Sequence, residues 1–175
     1  GEDPYYVTEE IAASQRRTMS ARKPVAGSIA FKGDDKAFGL PHAYANTTEG
    51  YELAGAELKS PLTTTASNIE AGAANFELMC THCHGLEGKG DGAISRNGHI
   101  MGIPDFSSML KELPEGKMYH TLMYGKGLMG SHASQISQKG LWQIIQYVQV
   151  LQKGGQMPTF DANGVALVTE TENND

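Results

Sequence analysis

The sequence predicts a mostly α-helical domain with a long irregular N-terminal arm before it and a short acidic tail after it. Three observations predict this. Apolar residues between positions 67 and 157 recur at helical spacing. Prolines and glycines crowd the first 66 positions. At 39% hydrophobic residues, a chain of 175 residues can bury one compact core and still leave an excess outside it.

The elements follow in order. Residues 1–66 carry Pro4, Pro24, Pro41 and Pro61, with Gly27, Gly33, Gly39, Gly50 and Gly55 between them. A short helix over 9–19 and an extended strand over 25–31 are the local possibilities. Neither buries enough surface to offset the ordering entropy of so long a segment. The arm therefore reads either as a flexible leader or as a segment ordered against a partner protein. From Asn68 the pattern becomes helical: Ile69, Ala73, Phe76 and Met79 or Cys80 share a face, and Ser67 or Asn68 is placed to cap the start. A glycine-rich loop runs from Gly85 to Gly92 and on to Pro104. A second helix is predicted over 114–124, with Pro114 in its first turn and Gly125 ending it. The best-defined helix covers 141–152. Leu141, Ile144, Ile145, Val148 and Leu151 lie on one face, Ser137 is its cap, and Gly154-Gly155 stops it. Residues 158–175 form the tail, which ends acidic with Glu170, Glu172 and Asp175.

Charge divides along the same boundaries. Residues 67–157 hold seven basic and seven acidic residues, so the net charge of −6 lies in the arm and the tail. That balance argues against nucleic acid as a partner. No window approaches the roughly 18 consecutive apolar residues of a membrane span; Gly164 to Val168 is about the longest such run. Two cysteines three positions apart cannot form a disulfide framework. The chain begins at Gly1, as expected of a processed sequence from which any signal peptide has gone.

Those two cysteines belong to Cys80-Thr81-His82-Cys83-His84. Two thiols one turn apart can add to the two vinyl groups of a haem and form thioethers. The histidine directly after the second cysteine then supplies a nitrogen ligand to the iron. A zinc site would need two further ligands, and no second CxxC or HxxxH cluster exists. A thioredoxin-like redox pair would need a βαβ context that the helix and glycine-rich loop do not provide. The sixth iron position must come from elsewhere in the chain. Met129 is favoured because Tyr124 to Gly130 is a glycine-rich loop between two helices, 45 residues after His84. Met123, Met101 and His132 are its rivals. Pro104 is placed to offer its carbonyl to the free ring nitrogen of His84, and a plain turn proline is the alternative. Phe106, Tyr119, Met123, Trp142 and Tyr147 line the cofactor pocket or the helix contacts. His42, His99 and His120 have no partner pattern and read as structural or surface residues.

Residues 67–153 resemble a class I cytochrome c. Gly72, Phe76 and Cys80, four apart, resemble the family's first helix, where the glycine lets the C-terminal helix cross closely. The Cys80–Gly85 run, Gly88 to Gly92, Pro104, Met129 and Trp142 with Tyr147-Val148 follow in the family's order. The resemblance implies one covalent haem c with His84 and Met129 as axial ligands, the Pro104 carbonyl accepting from His84, and Cys80, Cys83, Phe106 and Met123 among the residues that hold the group. Ser20 to Ala30, Met118 to Gly125 and Met129 to Lys139 further resemble the small mono-haem cytochrome c component of bacterial alternative complex III. Phe31 between Ala30 and Lys32 departs from that pattern. This resemblance implies an electron-transfer subunit, not itself an enzyme. It would sit peripherally on the periplasmic side of the bacterial cytoplasmic membrane, in a respiratory complex that oxidises quinol. The implied partners are a multi-haem cytochrome subunit and a terminal oxidase or soluble acceptor. The arm would dock on partner subunits, and membrane association would come through those partners or a lipid on a cysteine preceding Gly1. A free-standing periplasmic shuttle and a five-coordinate haem enzyme or gas sensor are the competing readings.

Overall fold

A computed structural model of the protein describes Gly27 and residues 41–167. Six helices form the regular structure of these residues: α1 (Thr48–Glu57), α2 (Ala66–Met79), α3 (Thr81–His84), α4 (Ala93–Arg96), α5 (Glu115–Tyr124) and α6 (Gln138–Gln152). Extended pairing among them is limited to isolated bridges. The chain divides into a unit of residues 1–32 and a unit of residues 33–175. Of the first, only Gly27 is described; it lies in a turn at φ 85°, inside the segment expected as a strand. The helix expected over 9–19 and the acidic end of the tail lie outside the described residues.

Side-chain caps set where three helices start. Thr47 Oγ1 accepts from the Gly50 N–H at 3.0 Å, Thr65 Oγ1 from the Asn68 N–H at 3.2 Å, and Ser137 Oγ from the Gly140 N–H at 3.1 Å. The α2 cap is therefore Thr65, not Ser67 or Asn68. A bridge between Thr65 and Val165 holds Thr65 extended, so the helix can begin at the next residue. Pro114 is the N-cap of α5, with ψ 148°, just outside the first turn where it was expected. Gly125, at φ 84°, ends α5, since an L side chain rarely adopts that conformation.

The core forms where α2 crosses α6. Ile69, Phe76, Leu141, Ile144 and Ile145 are its fully buried side chains. Gly72 makes the crossing close: a Cβ there would collide with the carbonyl of Gln143. The α6 amides bind the chain on either side. Gln143 Nε2 donates to Asn68 Oδ1 at 3.0 Å, Gln146 Nε2 to the Leu62 carbonyl at 3.2 Å, and Gln152 Nε2 to the Leu110 carbonyl at 2.6 Å. Tyr119 of α5 stacks on Trp142 of α6 with ring centroids 4.3 Å apart.

The segment read from sequence as irregular is ordered over 41–66. Helix α1 packs on α5 through small residues, and a Cβ at Gly116 would strike the carbonyl of Ala54. Tyr124 donates its hydroxyl to the Tyr44 carbonyl at 2.9 Å, and His120 Nε2 donates to the Ala45 carbonyl at 2.9 Å. This helix buries Gly50, Ala54 and Gly55. Its contact face is made of glycine and alanine, so it shows no hydrophobic stripe to a sequence reading. The start of the tail also folds back. Phe160 bridges Ala166 around a turn in which Asp161 Oδ1 accepts from the Asn163 and Val165 N–H groups, both at 2.8 Å.

Candidate functional site

The Cys80–His84 motif occupies the junction between α2 and α3. Cys80 closes α2, its N–H donating to the Phe76 carbonyl at 2.8 Å, and then starts α3. The N–H groups of Cys83 and His84 both return to the Cys80 carbonyl, at 3.1 and 2.9 Å, so the motif forms one tight turn. The glycine-rich loop is fastened to the same turn. The Gly90 N–H donates to the His84 carbonyl at 2.9 Å and the Gly92 N–H to the Cys83 carbonyl at 3.0 Å. Farther on, the Phe106 N–H donates to the Gly88 carbonyl at 2.9 Å, which carries the segment around Pro104 to the motif.

That placement sets the surroundings of His84. Its ring stacks on Phe106, centroids 4.9 Å apart and planes 18° from parallel, with the Phe76 ring at 6.5 Å. Burial first, then the charges of His132 and His82, pull its pKa down to about 4. The imidazole is therefore neutral at physiological pH, with a lone pair free for a metal. Its Nδ1 is buried without a hydrogen-bond partner. The bond expected from this nitrogen to the Pro104 carbonyl is not made with the ring stacked on Phe106. Burial, with a smaller effect from Cys83, pushes the Cys80 thiol up to about 12. A thiol so reluctant to ionise is a poor redox nucleophile. The two cysteines are free, with no disulfide between them.

A cavity of about 450 Å³ opens beside this turn, within the size range of cofactor sites. Cys80, Cys83, His84, Pro104, Phe106 and Met129 all border it. Phe76, Met118, Leu122, Ile144, Ile145 and Val148 give it apolar walls, and Ile100, Met101 and Ile103 come from the loop before Pro104. Met123 does not border it. Met118 and Leu122 face the cavity, and one residue past Leu122 turns about 100° round the helix; Met123 packs against the core. Of the rivals to Met129, His132 is also outside the lining, while Met101 borders it but is 81% exposed. Met129 is held in the α5–α6 loop by a two-way pairing with Lys126, with N–H to carbonyl distances of 2.9 and 3.1 Å. Tyr51 and Lys126 border the cavity as well and escaped the sequence reading. The Thr47-x-x-Gly50 start of α1 was the available signal for Tyr51, since it marks a capped helix just ahead.

The donor set fits a covalent haem. Two thiols and an imidazole with an unpartnered buried nitrogen share one turn, facing an apolar cavity. Among the described residues no group of three or more His, Cys, Asp or Glu side chains is arranged to hold a metal ion.

Residues 67–148 match the family model described as cytochrome C oxidase, cbb3-type, subunit III. No curated protein sequence matches the chain. Two solved structures are similar. One is a chain of the reducing HAO-like protein complex of Kuenenia stuttgartiensis, 26% identical with a TM-score of 0.46, covering 54% of this chain and 48% of that one. The other is cytochrome cL of the marine methylotroph Methylophaga aminisulfidivorans MPT, 19% identical with a TM-score of 0.42, covering 63% of this chain and 73% of that one. The protein thus spans about half the length of the Kuenenia chain.

Proposed function

We propose that the helical unit around Cys80–His84 is a class I cytochrome c domain carrying covalent haem c, and that the protein is an electron-transfer subunit of a quinol-oxidising membrane complex. The observation that carries its redox role is the convergence of Cys80, Cys83, His84 and Met129 on one apolar cavity. When bound, the haem supplies a one-electron iron couple. Cys80 and Cys83 hold it by thioethers and His84 offers a neutral ring nitrogen. Met129 would supply a thioether sulfur to the iron, which would raise the potential and close the metal to outside ligands. The apolar walls keep water away and disfavour the more positively charged oxidised form.

The alternative complex III assignment rests on the resemblance of Ser20–Ala30, Met118–Gly125 and Met129–Lys139 to the mono-haem cytochrome c component of that complex. On that reading electrons arrive from a multi-haem subunit and leave for a terminal oxidase or soluble acceptor, on the periplasmic side. The N-terminal arm docks on neighbouring subunits and thereby sets the distance between haems. Among the described residues no helix is long and apolar enough to cross a membrane, so attachment would come through partners or an N-terminal lipid. An exposed apolar rim supports docking: Leu128 and Met101 border the cavity while 79% and 81% exposed.

Two experiments test this. Met129→Ala should lower the reduction potential and abolish the sulfur-to-iron charge-transfer band, whereas His132→Ala should leave both intact; a wild type without that band, whose potential only His132→Ala moves, would make His132 the ligand. Purification from native membranes should recover the chain with a quinol-oxidising complex. Release by a salt wash alone would instead identify a free shuttle.

A further inference from the structure

We propose that Lys126, held over the Tyr51 ring, forms the anion-binding end of the cavity and receives a propionate carboxylate of the haem, so that α1, which carries Tyr51 and lies outside the matched cytochrome segment, is part of the cofactor site. The inference rests on the covalent haem described above.

The argument starts from the cofactor's own chemistry. A haem is a flat apolar ring with two carboxylates on the edge across from its vinyl groups. Thioethers to Cys80 and Cys83 would fix the vinyl edge, and the carboxylates would then need partners elsewhere on the cavity lining. A carboxylate left in apolar surroundings without a partner is costly. Lys126 is the one lysine or arginine that borders the cavity among the described residues. It is also without a carboxylate partner: the ion pairs of the described residues are Lys59–Glu115, Lys89–Glu87 and Lys117–Glu52. Its Nζ lies 3.8 Å from the centroid of the Tyr51 ring, a cation–π contact that holds the ammonium at the cavity instead of in solvent. Thr121 borders the same cavity and adds a hydroxyl donor.

Tyr51 is in turn fixed by the fold. Its ring meets His120 edge-on at 5.6 Å. Lys117, 5.0 Å from the same ring, is engaged by Glu52 at 2.6 Å, which leaves Lys126 as the free positive charge. The close α1–α5 approach at Ala54 and Gly116 sets the distance at which Tyr51 can reach over the cavity.

The test is a redox titration of the full-length, haem-loaded protein, with a haemochrome assay of each variant to count covalent haem. Removing a cation close to the iron favours the oxidised state. Lys126→Gln should therefore shift the electron-sharing equilibrium with a mediator of known potential about threefold or more toward oxidised protein. Lys126→Glu should shift it further, and Lys126→Arg should keep it near wild type. Lys153→Gln, at an exposed lysine away from the cavity, should leave it unchanged. Tyr51→Leu should move the equilibrium in the same direction as Lys126→Gln, Tyr51→Phe should not, and Tyr51→Leu should add nothing in the Lys126→Gln background. That non-additivity is a signature a merely structural tyrosine would not produce. Wild-type equilibria in both Lys126→Gln and Lys126→Glu, at one covalent haem per chain, would overturn the proposal. Absence of covalent haem from the wild-type chain would instead overturn the haem reading beneath it.

Discussion

His42 is surrounded by the rings of Tyr44, Tyr119, His120 and Tyr124, with centroids 5.3–5.5 Å away, and its Nε2 is buried without a partner. Burial first, and the nearby His120 second, pull its pKa from 6.5 to about 4. Between those two values the unfolded chain binds a proton that the folded one refuses. Stability is therefore full above pH 6.5 and falls as the pH drops toward 4. Thermal unfolding of the wild type should show that loss between pH 7 and pH 4.5, and His42→Phe should flatten it. From sequence His42 reads only as structural or surface, because three of its four ring partners lie about 80 positions away. His84 is the opposite case. Its role is legible from the cysteine directly before it, while its stacking on Phe106 and its unpartnered nitrogen depend on the loop that brings Phe106 to it.

Helix α6 is legible in detail because its signals are local: a Ser137 cap, five apolar residues on one face, and glycines at 154 and 155 with φ of 70° and 83°. Helix α1 is not, because it is held by shape. Small residues at 54 and 55 meet Gly116 and Lys117 of α5, and such a contact contributes no amphipathic period. The α2–α6 crossing depends on the same kind of fit. Gly72→Ala would gain helix propensity but drive a methyl group into the Gln143 carbonyl, where only backbone can yield. Overpacking of that kind should destabilise the protein by about 1–3 kcal/mol. Calorimetry should then show a lower Tm with the haem still attached, while an unchanged Tm would mean the two helices separate freely.

For the whole molecule the relevant quantity is the net charge of −6, carried outside a neutral stretch of 67–157. A negative protein attracts cationic reactants at a distance, and salt screens that attraction. Electron exchange with a small cationic mediator should slow as ionic strength rises from about 10 mM to 150 mM, where the Debye length falls from roughly 30 to 8 Å. Exchange with an anionic mediator should speed up. Stopped-flow rates at several salt concentrations check both, and equal responses would show that the iron does not sense the excess charge. At this scale the sequence by itself determined the cofactor chemistry, the helices α2, α5 and α6, and the placing of the charge, because each is written in residues close together in the chain. Only the tertiary structure decided that residues 41–58 belong with the helical unit, that Met123 turns away from the cavity, and that Tyr51 and Lys126 border it. Those outcomes depend on contacts between residues tens of positions apart, made by steric fit and ring packing that leave no periodic trace in the sequence.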